Sequence, residues 1–391
     1  MYPQTLRNHF PEPRTDTHKG GFTMALYIGL MSGTSADAID VALADFSREH
    51  GIRQVASLEK KWTEEDRKVI NSLCVSGNDE IHRAGLFGCR YARMAAEGIE
   101  ELLRRNHLSP KDIRAIASHG QTVRHEPQNA FSVQLGNHAL LAALTGIDVT
   151  CDFRAMDLAL NGQGAPLVPA FHREVCASPD VPRYIVNIGG ISNVSVLIPG
   201  HPVVGFDTGP GNTMIDLMAR TYLNASSDFD GACAAAGNVD LGILEELLNE
   251  PYFEKEPPKS TGRELFNADY LKRSPKLADL SLNDRFATVT ELTAVTVING
   301  INRFGEKGEI YVCGGGCHNG HLMRRLAFHA TESGHLKLAC TSEIGVDPDY
   351  LEAVAFAWLG YKFINGENVD MTGITGASRA CIMGALYPAP K

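Results

Sequence analysis

The sequence has no excess of positive charge, no long apolar run and no paired arrangement of cysteines. Its formal net charge is −10 over 391 residues, so it lacks the basic face that nucleic acid or an anionic membrane requires. No apolar run approaches the roughly 20 residues of a membrane-spanning helix. The nine cysteines stand singly, as is typical of small buried side chains in a reducing compartment. We therefore expect a cytoplasmic protein without a nucleic-acid or membrane partner.

The first residues differ in composition from the rest of the chain. Residues 1–23 are polar, contain several Pro, His and Arg, and lack the apolar centre of a secretory signal. An apolar strand begins directly after Met24, so we expect 1–23 to be a disordered extension. The remaining length exceeds what one hydrophobic core usually serves, since domains run to roughly 100–200 residues. Two domains are therefore expected.

The same order of elements is predicted twice along the chain. Each copy has an apolar strand, a glycine turn, a returning strand and a third strand, followed by a helix and a further strand. The first copy places strands at 27–30, 39–46, 54–58 and 113–117, and the second at 184–188, 194–198, 203–206 and 309–312. We interpret the pattern as an α/β protein of two duplicated halves that face each other across a cleft.

Amphipathic periodicity completes this division of the chain. Helices are predicted at 64–73, 80–105, 139–144, 213–222, 322–329 and 351–363. A strand at 148–151 leads into a predicted loop at 152–169. We expect the first domain to comprise 24–150 together with the C-terminal segment 350–391, and the second domain to comprise 151–349.

Both hairpin turns combine glycine with hydroxyl or amide side chains. The first turn is Ser32–Ser35 and the second is Gly189–Asn193. Such turns expose backbone N–H groups without side-chain cover, which suits an anionic phosphate chain. An ordinary tight hairpin is the alternative for either turn alone. Their recurrence at equivalent positions favours phosphate binding.

A third glycine turn, Gly314–Gly316, follows a strand and precedes a helix. It would let a flat adenine ring lie against backbone, with Asn319 as a hydrogen-bonding partner. The flanking Cys313 and Cys317 have no second pair, so they do not predict a metal site. The sequence contains no G-x-x-x-x-G-K-[ST] and no complete G-x-G-x-x-G, which argues against a P-loop or a dinucleotide-binding fold.

Several segments taken together resemble a known family. Residues Met31–Asp40 read M-S-G-T-S-A-D-A-I-D and are similar to the M-S-G-T-S-x-D-x-x-D signature of the anhydro-N-acetylmuramic acid kinases. Further similar blocks stand at 118–125, 152–154, 162–169, 187–190, 206–212, 258–264 and 352–359. The resemblance extends from about residue 27 to residue 388, which is nearly the whole chain.

The resemblance implies an actin-like fold, in which two RNase H-like domains enclose a nucleotide cleft. It implies an ATP-dependent kinase that opens the anhydro ring of 1,6-anhydro-N-acetylmuramic acid and phosphorylates O6, giving N-acetylmuramic acid 6-phosphate and ADP in cell-wall recycling. It also implies Mg²⁺ as a cofactor and a homodimer as the assembly. Ala36 and Ala38 depart from the family pattern beside the phosphate turn and so bear on nucleotide affinity, and Asn161 stands where glycine is common.

Two carboxylates are the candidates for catalysis. Asp207 follows an apolar strand and precedes a Gly/Pro turn that water can enter, where a carboxylate suits general-base catalysis; the resemblance gives it that role. Capping of the predicted 213–222 helix, or binding of Mg²⁺, is the alternative. Glu352 stands in the first turn of a helix, where the helix dipole by itself favours a carboxylate. The resemblance implies that Glu352 positions the attacking water together with Asp207.

The glycine turns are assigned to ATP, because phosphates need uncovered N–H groups and a cation. Asp37 is predicted to hold Mg²⁺, directly or through water, with Asp40 as a second candidate that could equally face solvent. The predicted ATP-binding residues are Gly33, Thr34, Ser35, Ala36, Asp37, Ala38, Ile39, Asp40, Gly189, Gly190, Asn193, Gly314, Gly315, Gly316 and Asn319.

The substrate that the resemblance implies carries a carboxylate and sugar hydroxyls. Arg154 and Arg124 are candidates for the carboxylate, because the planar guanidinium fits it. His119 and Gln121 have hydrogen-bonding ends suited to hydroxyls, whereas His125 is expected to be structural. The predicted substrate-binding residues are Ser118, His119, Gln121, Arg154 and Asp157.

Two other functions fit parts of the pattern. A kinase for an ordinary sugar or a carboxylate would share the glycine turns but would not need two carboxylates around a water. A catalytically inactive ATP-binding module would keep the fold and lose the chemistry. The presence of both Asp207 and Glu352 argues against the inactive module.

Overall fold

The computed structural model describes residues 25–33, 36–47, 52–257, 259–305, 307–332 and 334–390. The predicted extension at 1–23 lies outside the described residues, as do Thr34 and Ser35 of the first glycine turn. In chain order the strands are β1 (Leu26–Ser32), β2 (Ala38–Asp45), β3 (Arg53–Lys61), β4 (Ile113–Glu126), β5 (Phe131–Leu135), β6 (Val149–Cys151), β7 (Arg183–Ile188), β8 (Ile191–Leu197), β9 (Val204–Pro210), β10 (Lys307–Cys313), β11 (His335–Cys340) and β12 (Ala385–Tyr387).

Helices cover the faces of the strands and connect them. In chain order they are α1 (Glu64–Leu73), α2 (Glu80–Arg105), α3 (His138–Thr145), α4 (Ala155–Ala159), α5 (Val168–Val175), α6 (Thr213–Met218), α7 (Ala232–Ala235), α8 (Leu241–Leu248), α9 (Pro251–Glu254), α10 (Ala268–Leu271), α11 (Leu282–Asn302), α12 (Gly320–Glu332) and α13 (Leu351–Ile364). None of these helices is long and apolar enough to cross a membrane.

Two sheets repeat one strand order. In the first sheet β3, β2 and β1 are antiparallel neighbours, and β4 and β6 follow in parallel. In the second sheet β9, β8 and β7 are antiparallel neighbours, and β10 and β11 follow in parallel. The first sheet adds β12 beside β6 and β5 beside β4. This duplication is the actin-like arrangement of two RNase H-like α/β halves, and it confirms the predicted fold.

Several predicted bounds in the first half need correction. The strand predicted at 113–117 continues as β4 to Glu126, because β5 returns beside its second part and pairs Gln121 with Leu135. Ser118–Thr122 therefore lies within a strand and is not a turn, although Gly120 has a positive φ of 77°. The predicted loop at 152–169 contains α4 and the start of α5.

The second half also departs from the predicted pattern. Asp207 lies in the middle of β9, because that strand pairs with β8 as far as Pro210. The helix predicted at 213–222 is α6 followed by one turn of π-helix at Ala219–Leu223. Helix α11 was not predicted; it has 21 residues and packs against β8 and β9.

Helix α13 lies on the first sheet and brings the two halves together. It rests directly on β1, because a Cβ atom added to Gly29 would lie only 1.8 Å from the carbonyl oxygen of Ala353. Its other side packs on α5, with the Phe171 and Trp358 rings 5.9 Å apart. Glu352 is therefore held at the N-terminal end of a helix that is buried along most of its length.

Candidate active site

A cavity of about 830 Å³ opens between the two sheets. Both halves contribute to its wall, and both predicted catalytic carboxylates lie on it. The lining residues are His125, Pro127, Gln163, Ala165, Pro166, Val168, Pro169, His172, Asn187, Asn193, Val194, Ser195, Gly205, Phe206, Asp207, Lys259, Ser260, Leu351, Glu352, Thr372, Gly373, Ile374, Thr375 and Gly376.

Asp207 is fixed by backbone contacts on both sides of β9. Its carbonyl oxygen accepts the Tyr252 hydroxyl at 2.7 Å, and its own N–H donates to the carbonyl of Lys259 at 3.0 Å. The N–H of Thr261 donates to the carboxylate at 2.9 Å. Burial raises the pKa of Asp207 to about 6. The hydrogen bond from Thr261 lowers this pKa and the charge of Glu264 raises it, but burial has the largest effect. The result is an oriented carboxylate that is a stronger base than a surface aspartate.

Glu352 reaches the same cavity from the first half. Burial raises the pKa of its carboxyl, and the neighbouring Arg154 lowers it. The two predicted catalytic residues are therefore carried by different halves, Asp207 by the second sheet and Glu352 by the helix on the first. Both side chains line the same cavity.

The first glycine turn lies at the end of β1. Ala36 adopts a positive φ of 54°, and its N–H donates to the carbonyl of Gly33 at 3.1 Å. Gln121 supports this turn, because its amide donates to the same carbonyl at 3.1 Å and accepts the Ser32 hydroxyl at 2.7 Å. Gln121 thus supports the predicted phosphate turn and is not among the residues that line the cavity; substrate binding by Gln121 stays a prediction. Ala38 and Ile39, the other two residues predicted in this segment, begin β2.

The two aspartates after that turn have different surroundings. Asp37 forms an exposed ion pair with Arg67, with 3.2 Å between its oxygen and the guanidinium nitrogen. Asp40 is half-buried on β2, opposite Glu59 of β3. Burial raises the pKa of Asp40 to about 7, and the charges of Glu59, Glu352 and Asp349 contribute to this rise. Asp40, which the sequence analysis ranked second, is therefore the residue whose charge is coupled to Glu352.

The second glycine turn packs backbone to backbone against the start of α6. The carbonyls of Gly189 and Gly190 accept the N–H groups of Asn212 and Gly211 at 2.8 and 2.9 Å. A Cβ atom on Gly211 would lie 2.4 Å from the Gly189 carbonyl oxygen, so only glycine allows this approach. Asn193, predicted for ATP, stands opposite Asp207 in the β8–β9 register and lines the cavity.

The third glycine turn follows β10 as predicted. Gly314 has a positive φ of 78° and donates its N–H to Pro348 at 2.9 Å. A Cβ atom on Gly316 would lie 2.5 Å from the side chain of Ile188, so this turn packs onto β7. A Cβ atom on Gly315 would meet its nearest neighbour only at 3.8 Å. Asn319 is buried, and its side-chain oxygen accepts the N–H of Leu322 at 2.9 Å. That oxygen therefore caps α12.

The predicted substrate-binding residues form a layer behind the cavity wall. Arg154 donates to Nε2 of His119 at 2.9 Å and to the carbonyl of Gly164 at 2.6 Å. The ring of His119 packs on Phe356 at 4.6 Å, one helical turn from Glu352. Burial and Arg154 lower the pKa of His119 far below its usual value, which keeps the ring neutral.

Ser118 and Asp157 have internal partners. Ser118 is buried between the Tyr91 hydroxyl at 3.1 Å and His138 at 3.2 Å. Asp157 is buried and accepts the Gly164 N–H at 2.7 Å and the Thr375 hydroxyl at 2.6 Å. Asp157 thus joins two loops of the cavity wall.

Arg124, a candidate for the substrate carboxylate, has internal partners, whereas His125, expected to be structural, borders the cavity. Arg124 pairs with Glu80 at 3.0 Å and donates to the carbonyl of Leu73, so it is an anchor of α1 and α2. His125 lines the cavity, while its Nδ1 lies 3.1 Å from the Ser132 hydroxyl. Side chains alternate along a strand, so successive residues of β4 point to opposite faces. This alternation could have shown that Arg124 and His125 face opposite sides. It was missed because the strand was predicted to end at residue 117.

Two further residues of the wall lie in blocks that resemble the family, 258–264 and 162–169, but were not among the predicted site residues. Lys259 donates to the carbonyls of Tyr252 and Phe253 at 3.1 and 3.0 Å, and burial lowers its pKa to about 8. Gln163 donates its N–H to Thr375 at 2.9 Å. These residues come from segments far apart in sequence, and only the folded chain brings them together.

The family model described as anhydro-N-acetylmuramic acid kinase matches residues 25–389. The chain belongs to the anhydro-N-acetylmuramic acid kinase family. A member from Pseudomonas fluorescens is 44% identical over 367 residues, which cover 93% of this chain and 100% of the relative. A member from Thiobacillus denitrificans is 43% identical, with 93% and 97% covered. A member from Shewanella pealeana is 44% identical, with 93% and 98% covered. The family resemblance of the sequence motifs is confirmed.

Proposed function

We propose that this chain is an ATP-dependent kinase that opens the 1,6-anhydro ring of 1,6-anhydro-N-acetylmuramic acid and phosphorylates O6. The products are N-acetylmuramic acid 6-phosphate and ADP, and the reaction belongs to cell-wall recycling. One observation carries the proposal: Asp207 and Glu352, from different halves of a family member, line one cavity. An ordinary sugar kinase has an acceptor hydroxyl ready and needs no pair of carboxylates around a water.

The proposed chemistry divides between the two carboxylates. Asp207 takes a proton from a water molecule while the oxygen of that water bonds to the anomeric carbon, and the bond from that carbon to O6 breaks. O6 then bonds to the γ-phosphorus, and the bond to the β-phosphate oxygen breaks to release ADP. Glu352 orients the water. The raised pKa of Asp207, about 6, suits a base that must also return its proton near neutral pH.

The glycine turns are proposed to hold ATP, with phosphates at Gly33–Asp40 and Gly189–Asn193 and adenine at Gly314–Gly316. Mg²⁺ usually binds substrate phosphates, waters and one or two protein carboxylates. The described residues hold no group of three or more metal-ligating side chains, which fits a shared site of this kind. Asp37 and Asp40 are the carboxylates that would hold it, directly or through water, and the ion would offset phosphate charge.

Three further properties are part of the proposal. The assembly is a homodimer and the location is the cytoplasm, both implied by the family resemblance. The domain boundaries are 24–150 with 350–391, and 151–349. The placement of α13 and β12 on the first sheet supports that division.

Turnover in heavy-oxygen water tests the proposed reaction. We expect one heavy atom at the anomeric carbon, read by mass spectrometry before the hydroxyl exchanges, and none in the phosphate, because O6 stays with the sugar. A light anomeric oxygen, or label in the phosphate, would contradict the mechanism. ADP release should require the anhydro sugar; release that ignores it, or follows glucose or N-acetylglucosamine equally, would favour an ordinary kinase or a binding module.

A further inference from the structure

One buried histidine of the cavity wall has an unused nitrogen. His172 lies on α5, is 3% exposed, and borders the cavity. Its Nδ1 is 2.9 Å from the hydroxyl oxygen of Ser195 on β8. Its Nε2 has no hydrogen-bond partner among the described residues. A buried polar atom without a partner is costly, so a ligand that supplied one would gain from it.

The histidine is uncharged, and one of its two tautomers is a donor at Nε2. Burial lowers the pKa of His172 to about 3, so the ring carries a single N–H at neutral pH. When the Ser195 hydroxyl donates to Nδ1, that proton resides on Nε2. The unpartnered atom is then a neutral N–H donor.

Its position follows from the strand register. Ser195 pairs with Gly205, and Asn193 pairs with Asp207. The two pairs are alternate positions of the same strands, so they share one face and lie about 7 Å apart along the strands. A pyranose ring with one substituent spans that distance. A sugar whose anomeric carbon faces Asp207 would thus extend a substituent toward His172.

The wall around His172 is apolar and uncharged. A Cβ atom on Gly205 would lie 3.1 Å from Cγ of Pro169 and 3.7 Å from Cγ of Pro166, so both prolines cover this part of the sheet. Besides His125 and His172, the acidic and basic side chains of the cavity wall are Asp207, Lys259 and Glu352. A carboxylate would lack a cation here, whereas an amide carbonyl with a methyl group matches both the donor and the prolines.

We propose that Nε2–H of His172 donates to the carbonyl oxygen of the substrate's acetamido group, with the acetyl methyl against Pro166 and Pro169. His172 is then a specificity-determining residue for 2-acetamido sugars. The assignment rests on the proposed function and adds to it the residue that recognises the acetamido group.

Two substitutions separate the two ring nitrogens. His172→Asn keeps a polar atom near Nδ1 and removes Nε2, whereas His172→Gln keeps a donor near Nε2. Each variant is assayed with the anhydro-N-acetyl sugar and with its analogue bearing a hydroxyl in place of the acetamido group. We expect wild type and His172→Gln to prefer the acetamido sugar in kcat/KM by about 10–100-fold. His172→Asn should reduce the preference to less than about 3-fold, and His201→Asn, an exposed site, should leave it unchanged.

The possible results are distinct. If His172→Asn keeps the wild-type preference for the acetamido sugar, the assignment is wrong. It is also wrong if His172→Asn loses the preference for the sugar with the lactyl ether over an analogue that lacks this ether. A wild type that turns over neither sugar overturns the proposed function and this assignment with it. Nitrogen NMR of the wild-type histidines needs no variant: the Nε2–H signal of His172 should move on binding the acetamido sugar and not the hydroxyl analogue.

Discussion

At the scale of single residues, the surroundings of Asp207 decide its chemistry. Its backbone is held by Tyr252 and Lys259, and one carboxylate oxygen accepts the Thr261 N–H. That hydrogen bond stabilises the charged form, yet burial and Glu264 leave the pKa at about 6. Desolvation therefore raises the pKa of Asp207 by more than the hydrogen bond lowers it. The carboxylate becomes more basic and keeps its orientation.

This balance gives a prediction for Asp207. Asp207→Asn keeps the shape and removes the base, so kcat should fall by about 10²–10⁴ while nucleotide affinity changes little. In wild type the base must be ionised, so kcat/KM should decline as the pH falls through about 6. Steady-state rates of wild type and Asp207→Asn from pH 5 to 8 measure the fall in kcat and the pH dependence of kcat/KM.

Glu264→Gln is the control for the pH effect. It removes a charge that raises the pKa of Asp207, so the acid limb should move to lower pH while the base remains. Activity of Asp207→Asn within a few-fold of wild type would instead favour a structural role for Asp207.

At the scale of elements, the contact between β1 and α13 sets the position of Glu352. A Cβ atom on Gly29 would lie 1.8 Å from the Ala353 oxygen and 2.7 Å from the Ala357 nitrogen. Both atoms are backbone, so the whole helix would have to shift. The close contact at Gly29, which has no side chain, thus fixes the position of α13, the helix that carries Glu352.

Gly29→Ala should therefore destabilise the protein by at least about 3 kcal/mol and lower the melting temperature by about 4 °C or more. Residual folded protein should have reduced kcat because Glu352 moves with α13. Gly85→Ala in α2 is the matched control: its Cβ would meet nothing within 4 Å, so stability should rise by about 0.5–1 kcal/mol. Differential scanning calorimetry compares them; equal melting temperatures for wild type and Gly29→Ala would refute the tight contact.

The same scale shows where sequence patterns suffice and where they fail. The bounds of α1 were predicted correctly, since Thr63 and Asp66 form a capping box before an amphipathic run. Helix α11 went unnoticed because it buries threonines on several sides, including Thr288, Thr290 and Thr293. Thr293 bonds to the carbonyl of Gly211, a partner that no local pattern reveals.

The site divides in the same way. Asp207 and Glu352 could be proposed from the sequence because each lies in a block that resembles the family, and both line the cavity. Cavity residues such as His172 and Lys259 owe their positions to register and to loops that meet only after folding. Substrate binding by Gln121 stays a prediction; its support of the first glycine turn is a contact that hydrogen-bonding capacity alone does not reveal.

At the scale of the whole molecule, the duplication separates the proposed catalytic groups. Asp207 belongs to the second sheet and Glu352 to the helix on the first, so their spacing depends on how the two halves are placed. Helix α13 packs on β1 and also on α5, which makes it a natural pivot between them. Water must reach Asp207 for the reaction, yet free water at the γ-phosphate would waste ATP. A cleft that closes only with both ligands bound satisfies both demands.

Small-angle X-ray scattering tests this closure. We expect the radius of gyration, about 21 Å for a compact chain of this length, to decrease when an ATP analogue and the anhydro sugar are both present. Each ligand alone should produce a smaller change, because only part of the contacts between the two halves and the ligands is then formed. Glu352→Gln, which keeps the shape and removes the charge, should close as wild type does, since closure depends on binding and not on proton transfer. Identical scattering curves for the free and doubly liganded protein would mean that the carboxylates are already at their working distance and that water is excluded by another route.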